Sequence, residues 1–216
     1  MRKITSMLME LAYYDLSSGK EDEVYARSND EFVLHLSREI INSFKRGDKK
    51  YSKEVYWDRG DDYAEFDVKV RFIKRPKQEY SHSIEGGGSS EYLELIVEYN
   101  PKMFPAEMNR LVAEIKETIT HELEHVGQQN FADMFVVRGV DYGSPDDYFT
   151  SREEIPAFVK GLIKRAKVTK QSLDATMEQW HQDNIKHFEL HNISWPAVKK
   201  VWMDWAKANV SRLKKI

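Results

Sequence analysis

Apolar positions recur with two different periods along the chain, and the change of period separates predicted helices from predicted strands. Between Val33 and Phe44, apolar residues return every three or four positions, which is typical of one face of a helix. The preceding Ser28-Asn29-Asp30-Glu31 has the form of a capping box, and Gly47 marks a stop. A weaker helical pattern covers residues 3–16.

A period of two follows, which is typical of strands. From Phe66 to Phe72 apolar residues alternate with charged ones, and Tyr92–Tyr99 has a similar pattern. Between these strands, Gly86-Gly87-Gly88-Ser89-Ser90 indicates a long hairpin loop. That loop has two interpretations, a flexible connector or a flap that covers a substrate.

Helices return in the second half of the chain. Proline at position 105 suits the first turn of a helix that should run to about Gln129. Later helices are predicted at about 153–168, about 173–190 from an N-cap at Ser172, and about 195–213 from an N-cap at Ser194. The order of helices, small sheet and helices predicts an α+β domain.

We expect one domain across residues 1–216, because roughly 150 residues per domain is the usual scale. Its predicted parts are an N-terminal helical segment (1–48), a small sheet (49–100), helices around a candidate site (101–168) and C-terminal helices (169–216).

The amino-acid composition excludes some classes of binding partner and some kinds of catalytic or metal site. The formal net charge is -3, from 33 basic and 36 acidic residues, so a nucleic-acid partner is not expected. The absence of cysteine excludes disulfides, thiolate zinc sites and cysteine nucleophiles, so any metal must be held by histidine and carboxylate. Without a signal peptide or an apolar run of roughly 20 residues, the expectation is a cytoplasmic protein with no membrane partner.

The candidate chemistry lies in His121-Glu122-Leu123-Glu124-His125, within the helix predicted to end near Gln129. Histidines four residues apart share one helix face, so both imidazoles reach a common point. Glu122 is close enough to reach a water at that point. Two neutral nitrogen ligands, an open position and a base are what a hydrolytic zinc site needs. A chance match to this pattern occurs in roughly 2 % of shuffled sequences.

The surroundings of the motif strengthen it. An apolar stripe runs along the helix from Met108 to Val126, and Glu122 falls inside the stripe with the two histidines at its edge. A carboxylate on a core-facing stripe is costly without a partner, and a metal-bound water is such a partner. The alternative is an amphipathic helix with two surface histidines and an incidental glutamate. Glu124 falls on the polar side and has no predicted role.

A third protein ligand must come from elsewhere. No histidine follows His125 until His181, and Gln128 stands where an extended zinc motif would have glycine. A carboxylate from a later helix is the other standard solution, with Glu154, Glu153 or a different residue as the candidates. Ser151 and Glu154 could form a capping box at the start of that helix, and so could Thr150 and Glu153, which would leave Glu154 free. Pro156 also affects where the helix begins.

These motifs resemble those of gluzincin-type zincin metallopeptidases over about residues 92–160, with some similarity to small phage-encoded zincins. In that group a strand precedes the H-E-x-x-H helix, and a glutamate of a later helix completes the site. The segment Glu154-Ile155-Pro156-Ala157 is similar to the start of that helix, although Pro156 replaces the usual acidic residue.

The resemblance implies a zincin-like α+β fold with a small, mostly antiparallel sheet. It implies Zn²⁺ held by His121, His125 and Glu154, with Glu122 as general base in the hydrolysis of a peptide or protein substrate. We expect the peptide to lie along Tyr92–Tyr99 if that strand is at the sheet edge. The alternatives are a non-catalytic zincin-fold module, a nucleic-acid-associated protease and a plain helical binding module.

Other aromatic and histidine residues have two interpretations each. Tyr142, Tyr148 or one of the histidines His181, His187 and His191 could donate to a developing oxyanion, but loop packing and a polar helix face are the simpler interpretations. The tryptophans of the C-terminal helices indicate packing between helices, with a base-stacking platform as the alternative. They are Trp180, Trp195, Trp202 and Trp205.

Overall fold

The first helix, α1 (Asn29–Arg46), carries the apolar face predicted around Val33 and Phe44. It ends at Gly47, whose φ of 82° is the left-handed conformation that glycine adopts most easily after a helix. The computed structural model describes residues 29–58, 63–104, 106–131 and 145–210. The helical pattern at residues 3–16, Ser28 of the predicted capping box, Pro105 of the predicted first helical turn and Tyr142 lie outside this part of the chain.

Four strands form one mixed sheet. They are β1 (Lys50–Asp58), β2 (Tyr63–Lys74), β3 (His82–Gly88) and β4 (Tyr92–Tyr99), in the order β1-β2-β4-β3. The β1–β2 and β4–β3 pairings are antiparallel, whereas β2 and β4 are parallel. The predicted α+β class and small sheet are confirmed, and two of its three pairings have the predicted antiparallel direction.

The prediction of a hairpin loop at Gly86–Ser90 is wrong. Gly86, Gly87 and Gly88 belong to β3, which lies at the edge of the sheet, and β4 lies between β2 and β3. The expectation that a peptide lies along Tyr92–Tyr99 therefore fails, because both edges of that strand are already paired. The glycines serve close packing: a Cβ at Gly86 would lie 2.4 Å from a side-chain oxygen of the helix beneath.

The helices of the second half are arranged mostly as predicted. After a short 3₁₀ turn (Pro101–Met103), they are α2 (Met108–Asn130), α3 (Pro145–Thr150), α4 (Glu154–Thr169), α5 (Leu173–Asp183), α6 (Ile185–Leu190) and α7 (Trp195–Asn209). The single helix predicted at 173–190 is broken at Asn184, which caps α5 through its backbone N–H. Within the described ranges, no helix is long and apolar enough to cross a membrane.

The caps of the later helices differ in kind. Ser172 accepts a hydrogen bond from the backbone N–H of Ala175 at 3.1 Å, which confirms the predicted N-cap of α5. Ser194 stands at the predicted N-cap position of α7, but its side chain makes no capping hydrogen bond.

Two apolar clusters flank α2 and α4. The first joins α1, the inner face of the sheet and the apolar stripe of α2, including Ile115, Ile119 and Val126. The second joins α4 to the C-terminal helices and contains Trp195 and Trp202. Trp202 is fully buried and donates to the backbone oxygen of Phe149 at 2.8 Å, so the predicted packing role of these tryptophans is confirmed for the buried pair. The paired helices α2 and α4 thus lie where the clusters meet.

The packing of β3 on α2 predicts a difference between neighbouring glycines. Gly86→Ala should lower the free energy of unfolding by about 1–3 kcal/mol, because its Cβ would overlap atoms of Thr118 and Glu122. Gly87→Ala is the matched control, since no atom lies within 4 Å of its added Cβ, and should stay within about 0.5 kcal/mol. Chemical denaturation measures both, and equal stabilities would contradict this packing.

Candidate metal centre

Helix α2 brings the two predicted histidine ligands together. The Nε2 atoms of His121 and His125 lie 3.1 Å apart, and their ring centroids are separated by 4.9 Å. Both side chains are mostly buried, with 13 % and 15 % exposed. The apolar stripe beside them is buried as predicted, so the histidines lie at the edge of the core and can reach a cleft.

Helix α4 brings Glu154 to the same point. Its two carboxylate oxygens lie 3.4 Å from the Nε2 atoms of His121 and His125, one oxygen for each ring. Ser151 accepts a hydrogen bond from the backbone N–H of Glu154 at 3.2 Å, so the capping interaction uses the backbone of Glu154 and leaves its carboxylate for the histidines. Pro156 stands in the first turn of α4, where a backbone N–H has no helical acceptor to lose.

Glu153 has no comparable contact. Its backbone oxygen accepts a hydrogen bond from Gln128, while both of its carboxylate oxygens are buried without a hydrogen-bond partner in the described structure. Of the two carboxylates left open by the sequence, Glu154 is the one that the structure places against the histidine pair.

The geometry of these three side chains suits zinc. With bonds of about 2.0–2.1 Å, a tetrahedral zinc keeps its ligand atoms about 3.3 Å apart. The two Nε2 atoms fit this spacing at 3.1 Å, and each lies 3.4 Å from a different oxygen of the Glu154 carboxylate. Oε2 of Glu154 is also buried without a hydrogen-bond partner, a costly state that a bound cation would relieve. Two imidazole nitrogens and one carboxylate oxygen are a donor set that zinc accepts.

The charges of this group depend on one another. Burial alone would raise the pKa of Glu154, but the interactions of its carboxylate with His121 and His125 outweigh this and lower the pKa to about 2. Burial would lower the pKa of His125, yet its interaction with the Glu154 carboxylate raises it overall. An ionised Glu154 and a positive charge on His125 therefore stabilise each other, as Glu154 and a bound cation would.

Glu122 lies next to the histidines on the buried face, as predicted. One of its oxygens and the two imidazoles form a group whose atoms all lie within 4.8 Å. Burial raises the pKa of Glu122, an effect that His121 and His125 partly oppose. The glycines of β3 make room for this residue, because a Cβ at Gly88 would lie 2.7 Å from its backbone oxygen. A carboxylate with a raised pKa is suited to accept and return a proton near neutral pH.

The sequence prediction for Glu124 is wrong. The residue is 6 % exposed, and its carboxylate accepts a hydrogen bond from Lys160 of α4 at 2.5 Å. Helix α2 is covered on this side by α4, which the periodicity of α2 alone did not reveal. Glu124 therefore links the two helices that carry the candidate ligands.

Gln128 is a supporting residue whose role the sequence did not reveal. Its Oε1 lies 3.2 Å from Nδ1 of His125, and its Nε2 donates to the backbone oxygen of Glu153 at 2.9 Å. A proton on Nδ1 leaves the Nε2 lone pair of His125 for a metal, so Gln128 favours the tautomer that a ligand needs. Its position three residues after His125, on the same helix face, was the available signal.

The site opens into a cavity of about 210 Å³. His121 and Glu122 line one side, and Phe158 and Trp180 form aromatic walls. Of the predicted oxyanion donors, Tyr148 lines this cavity, whereas His187 lines an adjoining one and His181 stacks on Trp195 with ring centroids 4.6 Å apart. Tyr148 is thus the candidate donor that the described structure brings to the site.

The hydrogen bond to His125 predicts an effect on metal affinity. Gln128→Leu should weaken zinc binding about 10–100-fold, because the imidazole loses the partner that orients it. The control is Gln129→Leu on the same helix, which loses an exposed bond to the backbone of Ser90 and should bind zinc normally. Competition with a chromophoric chelator measures both, and equal affinities would remove Gln128 from the site.

Comparison with known proteins identifies no relative of this chain. No protein-family model matches it, and no curated protein or solved structure matches it.

Proposed function

We propose that this protein is a zinc-dependent peptidase of the gluzincin type. The observation that carries the proposal is the convergence of Glu154, from a separate helix, on the His121–His125 pair, with one buried carboxylate oxygen lacking a hydrogen bond. The neighbouring Glu122 and the open cavity supply what a hydrolytic site needs beyond metal ligands.

His121, His125 and Glu154 would hold the zinc. Bound there, zinc lowers the pKa of a water toward about 7 and polarises a carbonyl group. Glu122 takes the proton of the attacking water and delivers it to the leaving nitrogen, a task for which its position beside the two histidines is suited. Tyr148, which lines the same cavity, donates to the oxygen on which negative charge develops.

The substrate lies along the outer edge of β3. Among the described strands, none pairs with this edge, so its backbone groups can bind an extended peptide as an added strand. Gly86 and Gly88 pack directly on Glu122, so a peptide on this edge passes close to the proposed base. The edge replaces the Tyr92–Tyr99 strand as the proposed binding position.

Glu122 favours hydrolysis over a non-catalytic zincin-fold module. A purely structural zinc site is closed by a fourth protein ligand, whereas here a buried carboxylate and a cavity lie beside three ligands. A nucleic-acid-associated protease gains no support from the net charge of -3.

The proposed base predicts a separation of binding from catalysis. Glu122→Gln should keep zinc and lower peptide hydrolysis about 10²–10⁴-fold, because the amide cannot accept the proton. Glu124→Gln is the matched control, since that side chain is equally buried on the same helix but faces Lys160. It should hydrolyse peptides normally, because the amide oxygen can still accept the hydrogen bond from Lys160 that links the two helices. Zinc content and turnover of a fluorogenic peptide pool measure both, and full activity of Glu122→Gln would refute the assigned base.

The proposed ligands predict different metal contents in neighbouring variants. Glu154→Ala, His121→Ala and His125→Ala should each lose zinc and hydrolysis, because two remaining ligands bind the ion weakly. Glu153→Ala should retain both, since its carboxylate makes no described contact with the histidines. Elemental analysis of the purified variants measures their zinc content. Zinc lost from Glu153→Ala but kept by Glu154→Ala would show that Glu153, and not Glu154, is the third ligand.

A further inference from the structure

A second cavity continues from the candidate metal centre. It has a volume of about 510 Å³ and lies between β3, α2, α4 and α5. It shares Glu117, Thr118 and Trp180 with the smaller cavity that contains His121 and Glu122. Glu117 precedes His121 by one helical turn, so a substrate bound at the proposed catalytic site can extend a side chain into this space.

The walls of this cavity carry more carboxylates than guanidinium groups. Arg165 of α4 contacts Glu117 at 3.1 Å, Asp183 at 3.1 Å and Glu114 at 3.5 Å. Arg110 contacts Glu114 at 2.8 Å and Asp183 at 3.1 Å. Three carboxylates therefore share two guanidinium groups, and Glu114 also contacts His82.

Of these three carboxylates, Glu117 has the fewest positively charged partners. Within the part of the chain that the structure describes, it accepts one hydrogen bond, from Arg165 to Oε2, and Oε1 has no donor. Its side chain is 13 % exposed, toward the two cavities that it lines. Burial raises the pKa of Glu117 to about 7, and the attraction of Arg165 opposes this only in part. A further cation at this position would stabilise the ionised carboxylate.

We propose that this cavity is a specificity subsite that receives a lysine or arginine side chain of the substrate, with the cationic group at Glu117 and the aliphatic stem along Trp180. The subsite rests on the proposed peptidase function. Trp180 lines both cavities, and an indole ring favours both an aliphatic stem and a nearby cation.

An acidic side chain fits this cavity less well. Arg165 is the nearest cation to Glu117, but its side chain is 7 % exposed and its terminal nitrogens already contact three carboxylates. An incoming carboxylate would approach Glu117 without gaining a free donor, because Arg110 and Arg165 already contact the carboxylates of the wall. These contacts favour a basic residue over an acidic one.

Binding to the inactive Glu122→Gln variant tests the subsite without turnover. The probes are three extended peptides that differ at one central position, which is lysine, norleucine or glutamate. Isothermal titration to the full-length variant should show the lysine peptide binding about 10-fold more tightly than the norleucine peptide, and the glutamate peptide binding most weakly. The lysine–norleucine comparison needs no change to the cavity, so a misfolded cavity variant cannot obscure it.

A second substitution tests whether Glu117 is the source of the lysine preference. Adding Glu117→Gln should abolish the lysine preference, while adding Glu124→Gln should preserve it, because Glu124 faces Lys160 instead of the cavity. Equal binding of the lysine and norleucine peptides, tighter binding of the glutamate peptide, no binding of any peptide, or a preference that survives Glu117→Gln would each overturn the subsite. A lysine preference in a chain whose unsubstituted form cleaves none of these peptides would support the subsite and overturn the peptidase function.

Discussion

The interaction on which the rest of the site depends is the contact between the Glu154 carboxylate and the imidazoles of His121 and His125. It joins two helices that are separate in sequence, and it places a charged group where only 6 % of the side chain remains exposed. Such burial is unfavourable unless the charge is compensated, and the two histidines compensate it. Oε2 of Glu154 lies 3.4 Å from Nε2 of His121 but has no hydrogen bond in the described structure, and a cation held between the three side chains would relieve this.

This contact requires unusually close packing around α2. On one side, Gly161 of α4 lets the helices approach, since a Cβ there would lie 3.0 Å from the backbone oxygen of Glu117. On the other side, Gly86 and Gly88 let β3 approach Glu122. The same small residues leave the cavities that open beside the histidines. The site thus lies where two apolar clusters meet, and close backbone packing positions the candidate ligands.

The elements with a strong, unbroken period could be predicted from the sequence, as α1, β4 and α2 show. The burial of Glu122 followed from the same period. Helix α4 was also predicted, but the direction of the Glu154 carboxylate depended on whether Ser151 bonds to its backbone or its side chain, which only tertiary packing decides. Strand β3 was missed because three glycines carry no side-chain alternation, and the packing that requires Gly86 and Gly88 to be small involves α2, more than 30 residues away. Glu117, Arg165 and Asp183 gave no signal, because their ion pairs join three helices.

The central claim is that His121, His125 and Glu154 form a zinc site. The most direct test is the metal content of the full-length chain, purified without added zinc and measured by inductively coupled plasma mass spectrometry. The arrangement of these ligands predicts about one zinc per chain. Less than about one zinc per two chains, with no other transition metal in its place, would contradict the assignment.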